Sequence, residues 1–356
     1  MNKARRLWPA ILKTSKCIPL LLTLLIFSSL PTAESRPPTF QEIGVRNAHA
    51  MAYDSDRRRV VLFGGADESK VCGDTWEWDG KRWTRVNHTG PGPRTFPAMA
   101  YDSVRRRLVL FGGNRVLFGK SPGENKFLND TWEWDGRRWT EIKVTGPSPR
   151  AEAAIAFDEK RGRVMLFGGH NRAGDAGSRL GDTWEWDGKT WTEIKVPGPS
   201  PRNGAAQVYD SGFGKIVLFG GSTREAVSGE TWTWDGKKWV EDRAAVTEGR
   251  FNCVMAYDDA RHKIIRFGGR YAGKPLGDTW EYDAKGWMQL ALTGPTARNH
   301  AAVAYDSKRT KIVLFGGHDF GVHDGVNIFG DTWEWDGSNW VLKKAADVKR
   351  GIDNGH

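Results

Sequence analysis

Cysteine is scarce in this chain of 356 residues, which contains only three. Cys17 lies in an N-terminal segment that we expect to be removed, so Cys72 and Cys253 remain. One pair is too few for a disulfide framework, so the fold must be stabilised by packing. A large charge surplus is also lacking once the N-terminal segment is set aside. Five of the 53 basic residues and none of the 43 acidic residues precede Glu34. The near balance in the rest of the chain does not favour nucleic acid as a partner.

Long hydrophobic runs are absent except near the N-terminus. Residues 1–16 are basic, Ile18–Leu30 is apolar, and Pro31–Ala33 supplies the small residues of a cleavage site. This pattern is typical of a secretory signal, so we predict a signal peptide over residues 1–33 and a secreted or periplasmic protein. An uncleaved anchor is the alternative, although a membrane span needs about 20 apolar residues. We expect no membrane span after signal cleavage.

A repeated motif organises the remaining sequence. Val-Leu-Phe-Gly-Gly, or a close variant, occurs six times, and each copy precedes Asp-Thr-Trp-Glu-Trp-Asp-Gly or a variant and then a lone tryptophan. The interval from the opening arginine of each copy to the first glycine of the pair is always 18 residues. Only the segment between the glycine pair and the tryptophan motif varies in length. The arginines are Arg46, Arg94, Arg150, Arg202, Arg250 and Arg298.

Each copy has the pattern of four short strands. In the first copy these are Ala48–Tyr53, Val60–Phe63, Thr75–Trp78 and a strand that starts at Trp83, with an Asp-Gly turn before the last. Four strands in a period of 48 to 56 residues are typical of a β-propeller blade. We therefore predict an all-β fold, a six-bladed β-propeller with four antiparallel strands per blade.

The propeller is predicted to span residues 46–343. Residues 34–45 form a leader in which Phe40–Ile43 is a candidate closing strand, and residues 344–356 form a polar tail. Because Cys72 falls in a loop of blade 1 and Cys253 in the inner strand of blade 5, we predict no disulfide between them.

These copies resemble the kelch repeat family, whose blades carry a glycine pair after the second strand and a tryptophan in the fourth. The Trp-Glu-Trp-Asp-Gly version is similar to that of secreted bacterial kelch proteins and of the central propeller of galactose-oxidase-like proteins. The resemblance implies a kelch-type propeller. In galactose oxidase copper is held by two tyrosines and two histidines, whereas only Tyr271 lies outside the repeat columns here. A copper-radical oxidase is therefore disfavoured.

The candidate site lies on the face that carries the variable loops and the six arginines, at the mouth of the central channel. Glu152 and His300 differ from the small or apolar residues found in most copies of their column. We predict a ligand-binding site formed by Arg94, Arg150, Glu152, Arg298 and His300, for an anionic or polyhydroxylated ligand. In the alternative interpretation each arginine donates hydrogen bonds to carbonyl groups of the neighbouring blade.

Other candidate groups carry weaker signals. The tryptophans are interpreted as packing residues between blades rather than as a sugar platform. His318–Asp319 and His323–Asp324 have metal-ligating side chains, but no third ligand is evident, so no metal site or cofactor is predicted. Basic hairpins such as Arg57–Arg59 could hold an anionic polymer on the opposite face, although soluble hairpin tips are the preferred interpretation.

Two functions remain open. The first, which we favour, is a non-catalytic, monomeric binding scaffold with a protein or carbohydrate ligand at the channel mouth. The second is a secreted carbohydrate-active enzyme such as a sugar mutarotase or epimerase, because secreted kelch sialic-acid mutarotases use acidic and basic residues near the mouth. The unassigned residues do not converge on one reaction.

Overall fold

The computed structural model describes residues 42–86, 89–116, 126–171, 178–283, 285–290, 293–319, 327–345 and 349–350. The predicted signal peptide, most of the leader and most of the polar tail lie outside these residues. The described residues form six sheets, each with four antiparallel strands in sequence order, and contain no α-helix. No helix in this part of the chain is long and apolar enough to cross a membrane. The predicted fold class is confirmed.

Each sheet is one blade. The strands are, in blade 1, Ala50–Asp54, Arg59–Phe63, Thr75–Trp78 and Trp83–Val86; in blade 2, Ala98–Asp102, Arg107–Asn114, Phe127–Trp134 and Trp139–Ile142; in blade 3, Ala154–Asp158, Arg163–Phe167, Thr183–Trp186 and Trp191–Ile194; in blade 4, Ala206–Asp210, Lys215–Phe219, Thr231–Trp234 and Trp239–Glu241; in blade 5, Val254–Asp258, Lys263–Phe267, Thr279–Asp283 and Gly286–Leu290; and in blade 6, Ala302–Asp306, Lys311–Phe315, Thr332–Trp335 and Trp340–Lys344. Two short ladders pair Arg270–Tyr271 with Lys274–Pro275 and Asn327–Ile328 with Lys349–Arg350.

The core lies between neighbouring blades. In blade 1 the second strand, Val60–Phe63, is fully buried because it packs on both faces. The lone tryptophan of each blade donates its indole N–H to a threonine of the preceding blade, as Trp139 Nε1 does to Thr75 Oγ1 at 3.0 Å. The six copies of this bond span 2.8 to 3.0 Å. The tryptophan columns are therefore packing devices, as their periodicity predicted.

The ring closes between blades 6 and 1. Trp83 Nε1 donates to Thr332 Oγ1 at 3.0 Å, and the amide of Arg46 donates to the carbonyl of Phe329 at 2.9 Å. Ile43 is buried in the same cluster as core residues of both blades. Phe40, at the start of the candidate closing strand, lies outside the described residues. The fourth strand of blade 6 is Trp340–Lys344.

The basic hairpins join adjacent blades. Arg105 Nη1 of blade 2 contacts Asp102 at 2.5 Å and donates to the carbonyl of Gly162 in blade 3 at 3.1 Å. Arg261 Nη2 of blade 5 likewise donates to the carbonyl of Asp336 in blade 6 at 2.5 Å. Arg105 and Arg261 therefore bond across the boundary between two blades while staying 29% and 38% exposed, which is compatible with the predicted soluble hairpin tips. Blade 4 has Phe213 at this position, which is 55% exposed.

Candidate functional site

The arginine that opens each repeat lies inside its blade. All six are at most 5% exposed. Arg150 contacts the two carboxylate oxygens of Asp182 at 2.6 and 2.7 Å through Nη1 and Nη2, and Nη1 also donates to the carbonyl of Gly168 at 3.0 Å. Its Nε and Nη2 donate to the carbonyl and hydroxyl of Ser148 at 3.0 and 2.9 Å. The guanidinium group therefore uses its full set of five donors within the blade.

The other predicted arginines have the same environment. Arg94 forms a bidentate pair with Asp130 at 2.7 and 2.9 Å, and Arg298 pairs with Asp331 at 2.6 and 2.9 Å. Burial would raise the pKa of Asp130, but the hydrogen bonds and charge of Arg94 outweigh burial and lower it. Each arginine thus has a carboxylate partner in its own blade. The glycine carbonyl that each arginine bonds also belongs to its own blade and not to the neighbouring one.

The column two residues after the arginines forms the mouth of the channel. Its six members have φ between 52° and 64°, and they are Ala48, Phe96, Glu152, Gly204, Asn252 and His300. Successive members are linked through the backbone, as where Phe96 N donates to Ala48 O at 2.7 Å and Asn252 N to Gly204 O at 2.7 Å. A positive φ is uncommon outside glycine and costs on the order of 1–3 kcal/mol. Such strain is concentrated at functional sites, so this ring is a candidate.

These side chains line a cavity of about 170 Å³. The remaining lining residues follow the ring residues in sequence and are His49, Pro97, Ala153, Ala205, Cys253 and Ala301. Glu152 is the acidic member of this set, and the set contains no lysine or arginine. Phe96 and His300 contact each other edge to face, with ring centroids 4.8 Å apart. The cavity therefore joins an aromatic wall to a group of polar side chains.

Glu152 of blade 3 and His300 of blade 6 meet across the mouth. His300 Nε2 lies 3.5 Å from Glu152 Oε1, and the two side chains are 8% and 7% exposed. His170 Nε2 lies 3.7 Å from Glu152 Oε2, and Asn203 Nδ2 donates to the same oxygen. The carboxylate is therefore held by side chains from three blades.

The polar network continues beyond His300. Its Nδ1 lies 2.7 Å from His318 Nε2, and its Nε2 lies 2.5 Å from Asn252 Nδ2. One imidazole nitrogen of the histidine pair must donate while the other accepts. His318 and His300 thus share a hydrogen bond, whereas Glu152 lies 3.5 and 3.7 Å from the nearest nitrogens of His300 and His170.

The pKa shifts distinguish the groups of this network that are charged at neutral pH from those that are neutral. Burial would raise the pKa of Glu152, but the interaction with His300, the charge of His170 and the hydrogen bond from Asn203 outweigh it and lower the pKa to about 2. Burial and proximity to His300 hold the pKa of His318 well below its usual range. Glu152 is therefore ionised at neutral pH, whereas His318 is neutral.

His49 is the second buried imidazole of the cavity lining. Burial and the charge of Arg46 lower its pKa to about 3, so the ring is neutral. The carbonyl groups of Asn47 and Phe315 oppose this shift, but neither ring nitrogen has a partner with hydrogen-bond geometry within the described residues. Both ring nitrogens are shielded from solvent, and the ring packs on Phe315 with centroids 5.5 Å apart, so the imidazole lies behind the cavity surface.

Sequence reasoning found part of this network. The predicted residues Glu152 and His300 are together, whereas Arg94, Arg150 and Arg298 belong to the scaffold. His170 and Asn203 were missed, although His170 immediately follows a glycine pair, where other blades have residues such as Ala66 and Ser222. Comparing that column between blades would have identified it.

The candidate metal pair has another arrangement. Asp319 accepts hydrogen bonds from the backbone and side-chain nitrogens of Asn327 at 2.8 and 2.7 Å, whereas His318 faces His300. His323–Asp324 lies outside the described residues. In the part of the chain that the structure describes, no group of three or more His, Cys, Asp or Glu residues could hold a metal ion.

Comparison with known proteins places this architecture in a family. The model of the KLHDC2/KLHL20/DRC7 Kelch-repeats domain matches residues 23–221, more than half of the chain. The chain belongs to the Kelch-repeat family. Kelch propellers commonly act as protein-interaction scaffolds.

One curated relative matches part of the repeat region. The dynein alpha chain of the flagellar outer arm of Chlamydomonas reinhardtii is 35% identical to this Kelch protein over 118 residues. That match covers 30% of this chain and 2% of the dynein chain. It therefore supports the repeat and carries no argument about the activity of the whole relative.

Proposed function

We propose that the protein is a secreted or periplasmic, non-catalytic Kelch propeller that binds a protein or carbohydrate at the channel-mouth cavity. The observation that carries this proposal is the Glu152–His300 pair, which lies across a cavity whose rim is held in a strained backbone conformation. The scaffold does not require these side chains, because other blades have Ala48 or Gly204 at the same position. We attribute these two side chains to binding, because the backbone adopts the same positive φ with alanine or glycine at that position.

The cavity has the composition of a binding site. Small-molecule and side-chain sites combine an apolar wall with a few fixed polar groups, and here Phe96 supplies the wall while Glu152 and Asn252 supply polar groups. Hydrogen bonds from Asn203 and Asn252 orient Glu152 and His300 before a ligand arrives. Preorganised groups lose little entropy on binding.

The compartment and the monomeric state belong to the same proposal. The basic, apolar and small-residue segments of residues 1–33 support export. A monomer is supported by the closed ring, in which the first strand of blade 1 packs against blade 6 within one chain.

The test is a ligand screen with a matched pair of variants. Wild-type protein, Glu152→Gln and Glu193→Gln are applied to glycan and peptide arrays, and hits are measured by calorimetry. Glu193 is a suitable control because its side chain is 39% exposed on the fourth strand of blade 3. We expect Glu152→Gln alone to lose binding. A ligand whose affinity is unchanged in Glu152→Gln, or lowered equally in both variants, contradicts the proposed site.

A second candidate function is a sugar mutarotase or epimerase, favoured by the ionised Glu152 beside the imidazoles of His300 and His318. A carboxylate and an imidazole in one site can accept and release protons, as general acid–base catalysis requires. The test is NMR exchange spectroscopy of free reducing sugars with and without the protein. Acceleration that Glu152→Gln abolishes supports catalysis, whereas unchanged exchange for every sugar that binds supports the non-catalytic scaffold.

A further inference from the structure

We infer that the group entering the mouth cavity is cationic and that the ligand is a protein that inserts a lysine or arginine side chain. This inference rests on the proposed function, because it names the ligand of the same cavity.

The first argument is the charge of the cavity. Glu152 is its acidic lining residue, and no lysine or arginine lines it. The six nearby guanidinium groups do not compensate Glu152, because each is already paired with an Asp or Glu of its own blade. An anionic ligand would therefore meet a like charge at the centre of the site.

The second argument is the distance between the carboxylate and its imidazole neighbours. Charge-assisted hydrogen bonds to a carboxylate are about 2.7–2.9 Å long. The nitrogens of His300 and His170 lie 3.5 and 3.7 Å from the Glu152 oxygens, so neither reaches this distance. A ligand ammonium or guanidinium group at hydrogen-bond distance would add a closer cationic partner to the bond that Asn203 already donates.

The third argument is the aromatic surface of the cavity. Phe96 lines the same cavity as Glu152, and cations pack favourably on aromatic rings.

The fourth argument is size. A cavity of about 170 Å³ accommodates one side chain or one sugar ring and not an extended polymer. A neutral sugar could donate hydroxyl hydrogen bonds to Glu152 but would bring no positive charge to it. The charge distribution therefore favours the basic side chain.

The experiment uses the full chain and three peptides that differ only at one residue: acetyl-Gly-Lys-Gly-amide, its ε-acetyl-lysine form and acetyl-Gly-Glu-Gly-amide. Binding is followed by NMR titration at low ionic strength. We expect the lysine peptide to bind, and both ε-acetylation and Glu152→Gln to weaken binding about tenfold or more, as for a lost charge-assisted hydrogen bond. Added salt weakens binding because it screens the pair.

Two further variants keep the result interpretable. Phe96→Ala places the residue that blade 1 has at that position, Ala48, so it should fold and should also weaken binding. Glu193→Gln should bind as wild type does. Equal binding of lysine and ε-acetyl-lysine peptides overturns the inference.

The remaining outcomes separate this inference from the proposed function. If methyl galactoside or the glutamate peptide binds and Glu152→Gln removes that binding, the cavity is a binding site but not one for cations. If every ligand found binds outside the cavity and is insensitive to Glu152→Gln and Phe96→Ala, both proposals fail.

Discussion

Truncation of Arg150 measures whether the arginine column is scaffold or binding site. Arg150→Ala removes five hydrogen bonds. It leaves the Gly168 carbonyl without its arginine donor and the Asp182 carboxylate with the indole N–H of Trp184 alone among its side-chain donors. Breaking a buried ion pair costs about 3–5 kcal/mol. Because the Asp182 side chain is 24% exposed and can be rehydrated, we expect the lower limit, about 3 kcal/mol.

The assay is urea unfolding followed by tryptophan fluorescence. Arg137→Ala is the control, because Arg137 is exposed, and it should change the free energy of unfolding by less than about 0.5 kcal/mol. Asp182→Asn should lower the free energy of unfolding by part of the same amount. The loss in the Arg150→Ala/Asp182→Asn double variant should be smaller than the sum of the losses in the two single variants. Near-wild-type stability of Arg150→Ala together with lost ligand binding would refute the structural role and restore the arginines as ligand residues.

Three other predictions concern packing, pH and thiols. Trp186→Ala should lower the free energy of unfolding by about 3–5 kcal/mol. This loss should exceed that of Trp184→Ala, because Trp186 is fully buried and Trp184 only partly. Urea midpoints showing the reverse order would contradict this. Glu152 has a pKa near 4.5 as a free side chain and about 2 when folded, so its contribution to stability is complete above pH 4.5 and is lost as the pH falls through 2. The stability difference between wild type and Glu152→Gln should therefore shrink by about 3 kcal/mol over that range, and a constant difference would disprove the depressed pKa. Cys72 and Cys253 are buried free thiols, and non-reducing peptide mapping should find no bond between them, whereas a linked peptide would show a different blade arrangement.

The fold was predictable because each blade repeats the same hydrogen bonds at the same sequence spacing. The constant interval from arginine to glycine pair reflects one hydrogen bond, from Arg94 Nη1 to the carbonyl of Gly112, which recurs 18 residues apart in every blade. The constant tryptophan spacing likewise reflects the bond from Trp139 to Thr75 of the preceding blade. Features that every blade shares can therefore be recognised from this one sequence.

The site was only partly predictable because its residues meet across the ring. Glu152 and His300 were identified as departures from a repeat column, but sequence spacing does not show that they are 3.5 Å apart. Asn203 was missed because its partner lies in the preceding blade. The arginine partners were hidden for a different reason: Asp182 looked like part of the tryptophan motif and not like the counter-ion of Arg150.

The measurement that tests the central claim most directly is site-specific photocrosslinking on the two faces of the propeller. Benzoylphenylalanine replaces Phe96 at the channel mouth in one protein and Phe213 on the opposite face in another. Each is irradiated with the ligand identified by the array screen, with and without Glu152→Gln. We predict crosslinks from position 96 that disappear with Glu152→Gln, and none from position 213. Crosslinks from position 213 that persist in Glu152→Gln would contradict the assignment of the channel mouth as the binding face.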